Sequence, residues 1–258
     1  MMTAPVHHLA RDIRAMTTPL RPARIDAVSF DLDGTLVDTA GEIVEAVNAA
    51  LVEAGITPRP AEEIILLIGN GLRALMMNLL ARLMLEQPAL AERVRVEPLL
   101  LRVEAIYAGL AGRSAQPYPG ALQALADLRA AGIRTACVTN KDGAFTRRLL
   151  DATGLAPYLD VVLAGDSLPH RKPDSSVLRT AARQLGVASD RLAHVGDSRT
   201  DLDAARNAGV ADWAVPYGYN GGRPVALDGP SRLFADLAEV ADHVLAQQAS
   251  PAGRRAAA

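Results

Sequence analysis

Two carboxylates stand two positions apart in Asp31-Leu32-Asp33-Gly34-Thr35-Leu36-Val37-Asp38, immediately after a short apolar run. A second acidic pair, Asp197 and Asp201, lies in Gly196-Asp197-Ser198-Arg199-Thr200-Asp201. Carboxylates that converge on one site repel unless a cation sits among them, and an oxygen-only donor set without imidazole or thiolate points to Mg2+. Two other segments carry complementary chemistry. Val138-Thr139-Asn140-Lys141 offers a hydroxyl and an amide, and Arg171-Lys172-Pro173 offers an ammonium. Gly34 permits a tight turn whose backbone N–H groups can face an anion. A cation, a hydroxyl and backbone donors around a metal-bound carboxylate make a pocket suited to a phosphoryl group, with an Asp as the nucleophile.

These groups act together only if the chain delivers them to one place. The run Ile25-Asp26-Ala27-Val28-Ser29-Phe30 ends abruptly at Asp31, and apolar runs at 133–138, 161–164, 192–195 and 211–215 repeat the pattern. Helical periodicity over 121–131, 144–154, 175–186 and 200–209 separates them, and three of these four segments end at or beside a glycine suited to a helix C-terminus. Strand and helix in alternation predict an α/β fold, a doubly wound parallel sheet with right-handed crossovers and a ligand site at the carboxyl ends of its strands.

Between the first two strands lie about a hundred residues where a single crossover helix would do. Thr39 followed by Glu42 has the spacing of a capping box and launches an apolar-periodic helix that stops near Gly55. Further helical patterns cover 61–68, 72–85 and 94–111, so residues 39–113 read as a small all-helical insert, with Pro117-Tyr118-Pro119-Gly120 as the return hinge. The expected plan is an extension at 1–24, a core formed by 25–38 and 114–249, the insert at 39–113, and a tail at 250–258. For 258 residues that is one core plus an inserted unit.

The ordered set D-x-D-G-T, T-N, K-P and G-D-x-x-x-D, each at a strand end, resembles the haloacid dehalogenase superfamily of phosphohydrolases, and within it the phosphoglycolate phosphatase family. The resemblance covers roughly residues 25–222 and implies a Rossmann-like core with a helical cap. It implies that Asp31 attacks phosphorus to give an aspartyl-phosphate, while Asp33 protonates the leaving oxygen and later activates water. It further implies Mg2+ held by Asp31, the Asp33 carbonyl and Asp197, with Asp201 supporting that shell. Thr139, Asn140 and Lys172, with the turn at Gly34, would hold the phosphate. The second Asp of the first motif speaks for phosphate-ester hydrolysis and against dehalogenation. In the insert, the loop Ile68-Gly69-Asn70-Gly71-Leu72-Arg73 opens a helix, so Asn70 and Arg73 are candidate substrate contacts beside the plainer reading of an inter-helix turn. With the Gly-rich loop 216–222, which is similar to one common in that family, it favours a small carboxylated phosphate ester such as 2-phosphoglycolate. Another small ester, a sugar phosphate for instance, a phosphomutase reaction on the same fold, or a non-catalytic phosphate-binding module are the rivals.

Several residues have plainer readings. Asp201 also suits the first turn of a helix on dipole grounds, and Asp38 is explained by the start of the insert. Cys137 and His194 fall inside strands and read as packed residues, and Met76, Met77 and Met84 as core or interface filler. Twenty-seven basic against 29 acidic residues leave a net charge of −2 and no electrostatic footprint for nucleic acid or an anionic membrane. The expected partner is a small-molecule phosphate ester, with the chain acting as a monomer or homodimer. A single cysteine excludes an internal disulfide, no apolar stretch is long enough to span a membrane, and a cytoplasmic location is expected. His7 and His8 read as solvated.

Overall fold

The computed structural model describes residues 24–249; the expectations for the first 23 residues, His7 and His8 among them, and for 250–258 lie outside the described residues. Strands β1 (Ala27–Phe30), β4 (Arg134–Val138), β5 (Val161–Leu163), β6 (Leu192–Gly196), β7 (Ala211–Ala214) and β8 (Arg232–Leu233) form one sheet in the order β5-β4-β1-β6-β7-β8. Every neighbouring pair is parallel. Two short strands, β2 (Val37–Asp38) and β3 (Gln116–Pro117), pair antiparallel beside it.

The two faces of the sheet are packed differently. Val28 and Phe30 of β1 face Leu125 and Leu128 of helix α6 (Ala121–Ala130) and Leu237 and Val240 of α10 (Leu237–Ala249). Each such side chain contributes about 1.5–3 kcal/mol by leaving water. The opposite face carries Ala27 and Ala136 against Ala181 and Ala182 of α8 (Ser175–Leu185) and Ala204 and Ala205 of α9 (Arg199–Ala208). Small residues on both surfaces bring these helices close to the sheet, which is how a chain with 3% aromatic residues fills its interior. Helix α7 (Gly143–Ala152) follows β4.

Five helices lie between β2 and β3: α1 (Ala40–Glu53), α2 (Ala61–Ile65), α3 (Leu72–Glu86), α4 (Leu90–Arg93) and α5 (Val96–Leu110). They share their own hydrophobic cluster, centred on Val47, Leu51, Leu75, Leu79 and Val103, into which the core contributes Phe145 and Tyr219. Among the described residues no helix is long and apolar enough to cross a membrane.

Two local readings of the sequence are corrected, and one strand has no signal in it. Pro117, expected in a hinge, sits in β3 opposite Val37. Strand β8 has only two residues, both exposed, so no alternation could announce it. Thr39 and Glu42 do not form a capping box: the Thr39 side chain makes no cap bond to α1. Its hydroxyl donates instead to Asp33 Oδ1 at 2.7 Å. Glu42, 2% exposed, accepts the N–H groups of Gly112, Ser114 and Ala115 at 3.0, 2.6 and 2.9 Å, fastening the start of α1 to the stretch that leaves α5. Tertiary donors outcompeted the local pair. The reciprocal box occurs at α9, where Ser198 and Asp201 bond each other's backbone.

Candidate active site

The register of the central strands decides where the chemistry gathers. Phe30 pairs with Cys137 on β4 and with Val195 on β6, so the residues that follow these strands emerge together at one sheet edge. That edge lies where the chain winds away from β1 in both directions, the usual position of a ligand crevice. Asp31, Thr139, Asn140 and Asp197 all stand there and are buried. Cys137, one residue short of the edge, is a buried packing residue with its thiol pushed well up by burial.

Lys172 supplies the positive charge at the centre. Its Nζ lies 2.9 Å from Asp31 Oδ1 and 2.7 Å from Asp201 Oδ1. Burial works against the ammonium, yet the Asp201 and Asp31 charges hold its pKa above the ordinary lysine value. Asp201 is surrounded by donors, with Ser198 Oγ on Oδ2 at 2.6 Å and His194 Nε2 3.3 Å from Oδ1. Burial alone would raise its pKa, but Lys172 and His194 outweigh it and hold the carboxyl far below the usual range. Because an ionised carboxylate only accepts, His194 must donate from Nε2 and accept at Nδ1 from Ser29 Oγ, its cross-strand partner, 2.9 Å away. The imidazole is a packed residue, as expected, and also steadies Asp201.

Asp31 is less well provided. Its Oδ1 makes the ion pair with Lys172 but no hydrogen bond of proper geometry, although it is buried. Burial, opposed by Lys172 and aided by the charge of Asp201, pushes its carboxyl up to about 6. Asp197 is raised well above the usual range by burial and by the Asp201 and Asp31 charges, even though Thr35 Oγ1 donates to its Oδ1 at 2.7 Å and the Tyr219 N–H to its Oδ2. Gly34 makes room for this arrangement. Its φ is +88°, and a Cβ there would lie 2.5 Å from Asp197 Oδ2. Its own N–H is engaged by the Val37 carbonyl at 3.0 Å, so what Gly34 itself contributes is room rather than a free amide.

Asp33 points toward the insert. Lys141 Nζ bonds both its oxygens, at 2.9 and 3.0 Å, and Thr39 Oγ1 donates to Oδ1. Lys141 carries no local mark of function in the sequence, since its partner is 108 residues away. Burial opposes its charge, and Asp33 with Tyr107 more than restores it. Thr139 Oγ1 accepts the Lys141 N–H at 3.2 Å, which leaves its hydroxyl hydrogen to donate. Asn140 is a positioning residue here. Its amide clasps the Lys172 main chain in both directions, Nδ2 to O at 3.1 Å and N to Oδ1 at 2.9 Å, and reaches the Gly69 carbonyl at 3.3 Å. Phosphate contact by that amide is therefore not what the structure supports.

The insert loop meets the core by its backbone. Gly71, at φ +86°, approaches so closely that a Cβ would come within 3.1 Å of the Asn140 carbonyl. Asn70 is exposed and borders an outer groove with Ser198, Arg199 and Asn220. Arg73 turns away to Glu97, at 2.8 Å, and Glu104, at 3.2 Å, on α5. Neither expected substrate contact from this loop faces Asp31; carboxylates on the neighbouring helix captured the guanidinium. Tyr219, in a loop that reads from sequence as a Gly-rich turn, is 8% exposed and joins core to insert. Its hydroxyl donates to Asp38 at 2.5 Å and accepts the N–H groups of Thr39 and Ala40, both at 3.1 Å.

One carboxylate oxygen each from Asp31, Asp197 and Asp201 lies within 4.8 Å of the others. All-oxygen donors, a buried Asp31 oxygen lacking a hydrogen bond, and two carboxyls raised by burial and by neighbouring negative charge fit a small hard dication. Asp201, already saturated by protein donors, suits a supporting position better than direct ligation.

Comparison with known proteins follows the same lines. The family described as "haloacid dehalogenase-like hydrolase" matches residues 25–209. A Cupriavidus necator protein named "Phosphoglycolate phosphatase, plasmid" is 44% identical over 202 residues, 78% of this chain and 85% of its own length. A "Phosphoglycolate phosphatase" of Thiobacillus denitrificans is 38% identical over 220 residues, covering 85% and 96% respectively. The crystal structure of a predicted phosphoglycolate phosphatase from Haemophilus somnus superposes with a TM-score of 0.78 at 28% identity, over 86% of this chain and 98% of that one.

Proposed function

Since this chain belongs to the haloacid dehalogenase-like hydrolases, as a phosphomonoester hydrolase of the phosphoglycolate phosphatase family, we propose that it converts 2-phosphoglycolate to glycolate and phosphate through a phosphoryl group carried on Asp31. The observation that carries the reading is the contrast between two neighbouring carboxylates. Asp31 is buried at the sheet edge, its Oδ1 ion-paired with Lys172 but without a hydrogen bond of proper geometry, whereas Asp33 is held by Lys141 and Thr39 beside the insert. One is suited to attack and the other to proton transfer.

In this mechanism the Asp31 carboxylate attacks phosphorus, the bond to the ester oxygen breaks, and Asp33 delivers its proton to the departing alkoxide. Asp33, now a carboxylate, takes a proton from water as that water attacks the acyl phosphate, which frees phosphate and restores Asp31. Lys172, fixed by Asp201 and by the Asn140 clasp, neutralises negative charge on the phosphoryl oxygens, and the Thr139 hydroxyl orients them. Mg2+, held by Asp31, the Asp33 carbonyl and Asp197 when bound, would supply further neutralisation of that charge. The insert, resting on the site through Gly69, Gly71 and Tyr219, excludes bulk water.

The test is phosphate release from a panel of esters with Mg2+. Turnover of 2-phosphoglycolate that disappears in Asp31→Asn and on adding EDTA is expected. A preference of orders of magnitude for another ester, or isomer formation without net phosphate release, would overturn the substrate or the reaction.

A further inference from the structure

Tyr107 is the only aromatic residue between 39 and 113, and it reaches across from α5 to the core. Its ring is wholly buried and meets Phe145 of α7 edge-on, with centroids 4.9 Å apart. Yet its hydroxyl is buried and makes no hydrogen bond of proper geometry among the described residues, although the Lys141 ammonium lies close enough to act on it. Orphaned buried hydroxyls are uncommon in folded proteins and ask for an explanation. Burial holds the phenol protonated, with its pKa pushed up to about 12, so the group is available as a donor.

The same residue lines a cavity between insert and core. Its walls include Ile43, Ile68, Leu72 and Leu75, and its polar lining comprises Asp33, Lys141 and Asp142. Lys141 Nζ sits 4.7 Å from the Tyr107 ring centroid while bonding Asp33. An ammonium and a phenol O–H therefore converge beside the proton-transfer residue, while the cavity's other carboxylate, Asp142, is engaged by Arg171 at 2.9 Å. Two adjacent donors match a carboxylate, which accepts from both. A polyhydroxylated leaving group would instead bring hydroxyls against the aliphatic walls, where they find no partner.

We propose that Tyr107 and Lys141 select phosphate esters whose leaving alcohol carries a carboxylate a carbon or two from the ester oxygen. The assignment rests on the phosphomonoesterase reading above, since it takes Asp33 as the donor to that oxygen. Lys141 bonds Asp33 at 2.9 Å, so a carboxylate that touches Lys141 and an ester oxygen that touches Asp33 are joined by three hydrogen-bond links and lie at most about 9 Å apart. A short acid satisfies both. Lys141 also fixes Asp33, so Tyr107 is the residue whose removal isolates the selection.

The experiment is steady-state kinetics of the full chain and its Tyr107→Phe variant with Mg2+, on 2-phosphoglycolate and on ethyl phosphate, which matches its carbon count but lacks the carboxylate. Phenylalanine keeps the edge contact with Phe145, and thermal melting checks the fold. The expected result is a fall of about tenfold or more in kcat/KM for 2-phosphoglycolate, carried mainly by KM, with ethyl phosphate within about threefold of the parent. Equal losses on both esters, or none on 2-phosphoglycolate, would overturn the assignment. Parent enzyme that hydrolyses ethyl phosphate as efficiently as 2-phosphoglycolate would overturn it too while leaving the phosphomonoesterase reading intact. Failure to release phosphate from either ester or from p-nitrophenyl phosphate would sink the underlying reading, and this one with it.

Discussion

Lys172 Nζ stands 2.7 Å from Asp201 Oδ1, and the two side chains are 2% and 1% exposed. A pair so completely removed from water is costly to break from one side, because the abandoned charge stays buried. Lys172→Met keeps the aliphatic stem and leaves Asp31 and Asp201 without their ammonium. We expect a loss of about 3–5 kcal/mol in urea unfolding and a fall of about 10^3-fold in kcat. A stability loss below about 1 kcal/mol would show that Lys172 does not hold the cluster.

Asp31 makes the opposite prediction for stability. Its carboxyl titrates near 6 in the folded protein, above the ordinary 3.8, so its charged form is disfavoured there and the ionised group opposes folding at pH 8. Asp31→Asn removes that charge, so in EDTA at pH 8 the variant should be more stable than the parent, by up to about 3 kcal/mol. Activity should vanish. Urea titrations that place the variant at or below the parent would contradict the electrostatic account.

The pH dependence of cation binding follows from the same group together with Asp197, whose carboxyl is also raised. For a group raised on folding, the stabilising contribution is complete below the unfolded value and fades as pH climbs through the folded one. For Asp31 that window runs from 3.8 to about 6. A dication reverses the loss by binding the ionised forms and releasing protons. The rise in Tm produced by Mg2+ should therefore grow from pH 5 to pH 8, and activity should fall on the acid side. Equal shifts at both pH values in parallel thermal melts would exclude this coupling.

At Gly34, alanine meets two penalties at once. The backbone at φ +88° is strained for any side chain, and the new Cβ would stand 2.5 Å from Asp197 Oδ2. Left-handed strain of about 1–2 kcal/mol and overpacking of about 1–3 kcal/mol add to a loss of about 2–5 kcal/mol. Asp197 must move, so phosphatase activity should drop with stability. Chemical denaturation alongside kinetics decides the matter; a fully active, equally stable variant would refute the steric role.

Much of this site was legible because parallel strands leave their carboxyl ends on one edge. Asp31, Thr139 and Asp197 each follow an apolar run, and position in the chain is enough to gather them. Lys141 and Tyr219 were not legible, because their partners lie far away in sequence: Asp33 is 108 residues from Lys141, and Asp38 is 181 from Tyr219. Thr39 and Glu42 show the converse error. Their spacing suits a local cap, but Asp33 and the amides of Gly112, Ser114 and Ala115 offered better partners in the folded chain. Arg73 failed for the same reason, since Glu97 and Glu104 come alongside only when α3 and α5 pack.

The pairing of Val37 with Pro117 and Asp38 with Gln116 places the outbound and returning chain about 4.8 Å apart, the spacing of two adjacent strands. Seen from the sheet, everything between them is a loop whose ends already touch. Its length hardly matters to the closure entropy, which grows only logarithmically. A short turn could join 38 to 116, or a differently shaped module could take the place of the five helices, without stretching β1 or β4. The five helices, Tyr107 among them, can therefore be exchanged as a unit while Asp31, Thr139 and Asp197 keep their places at the strand ends.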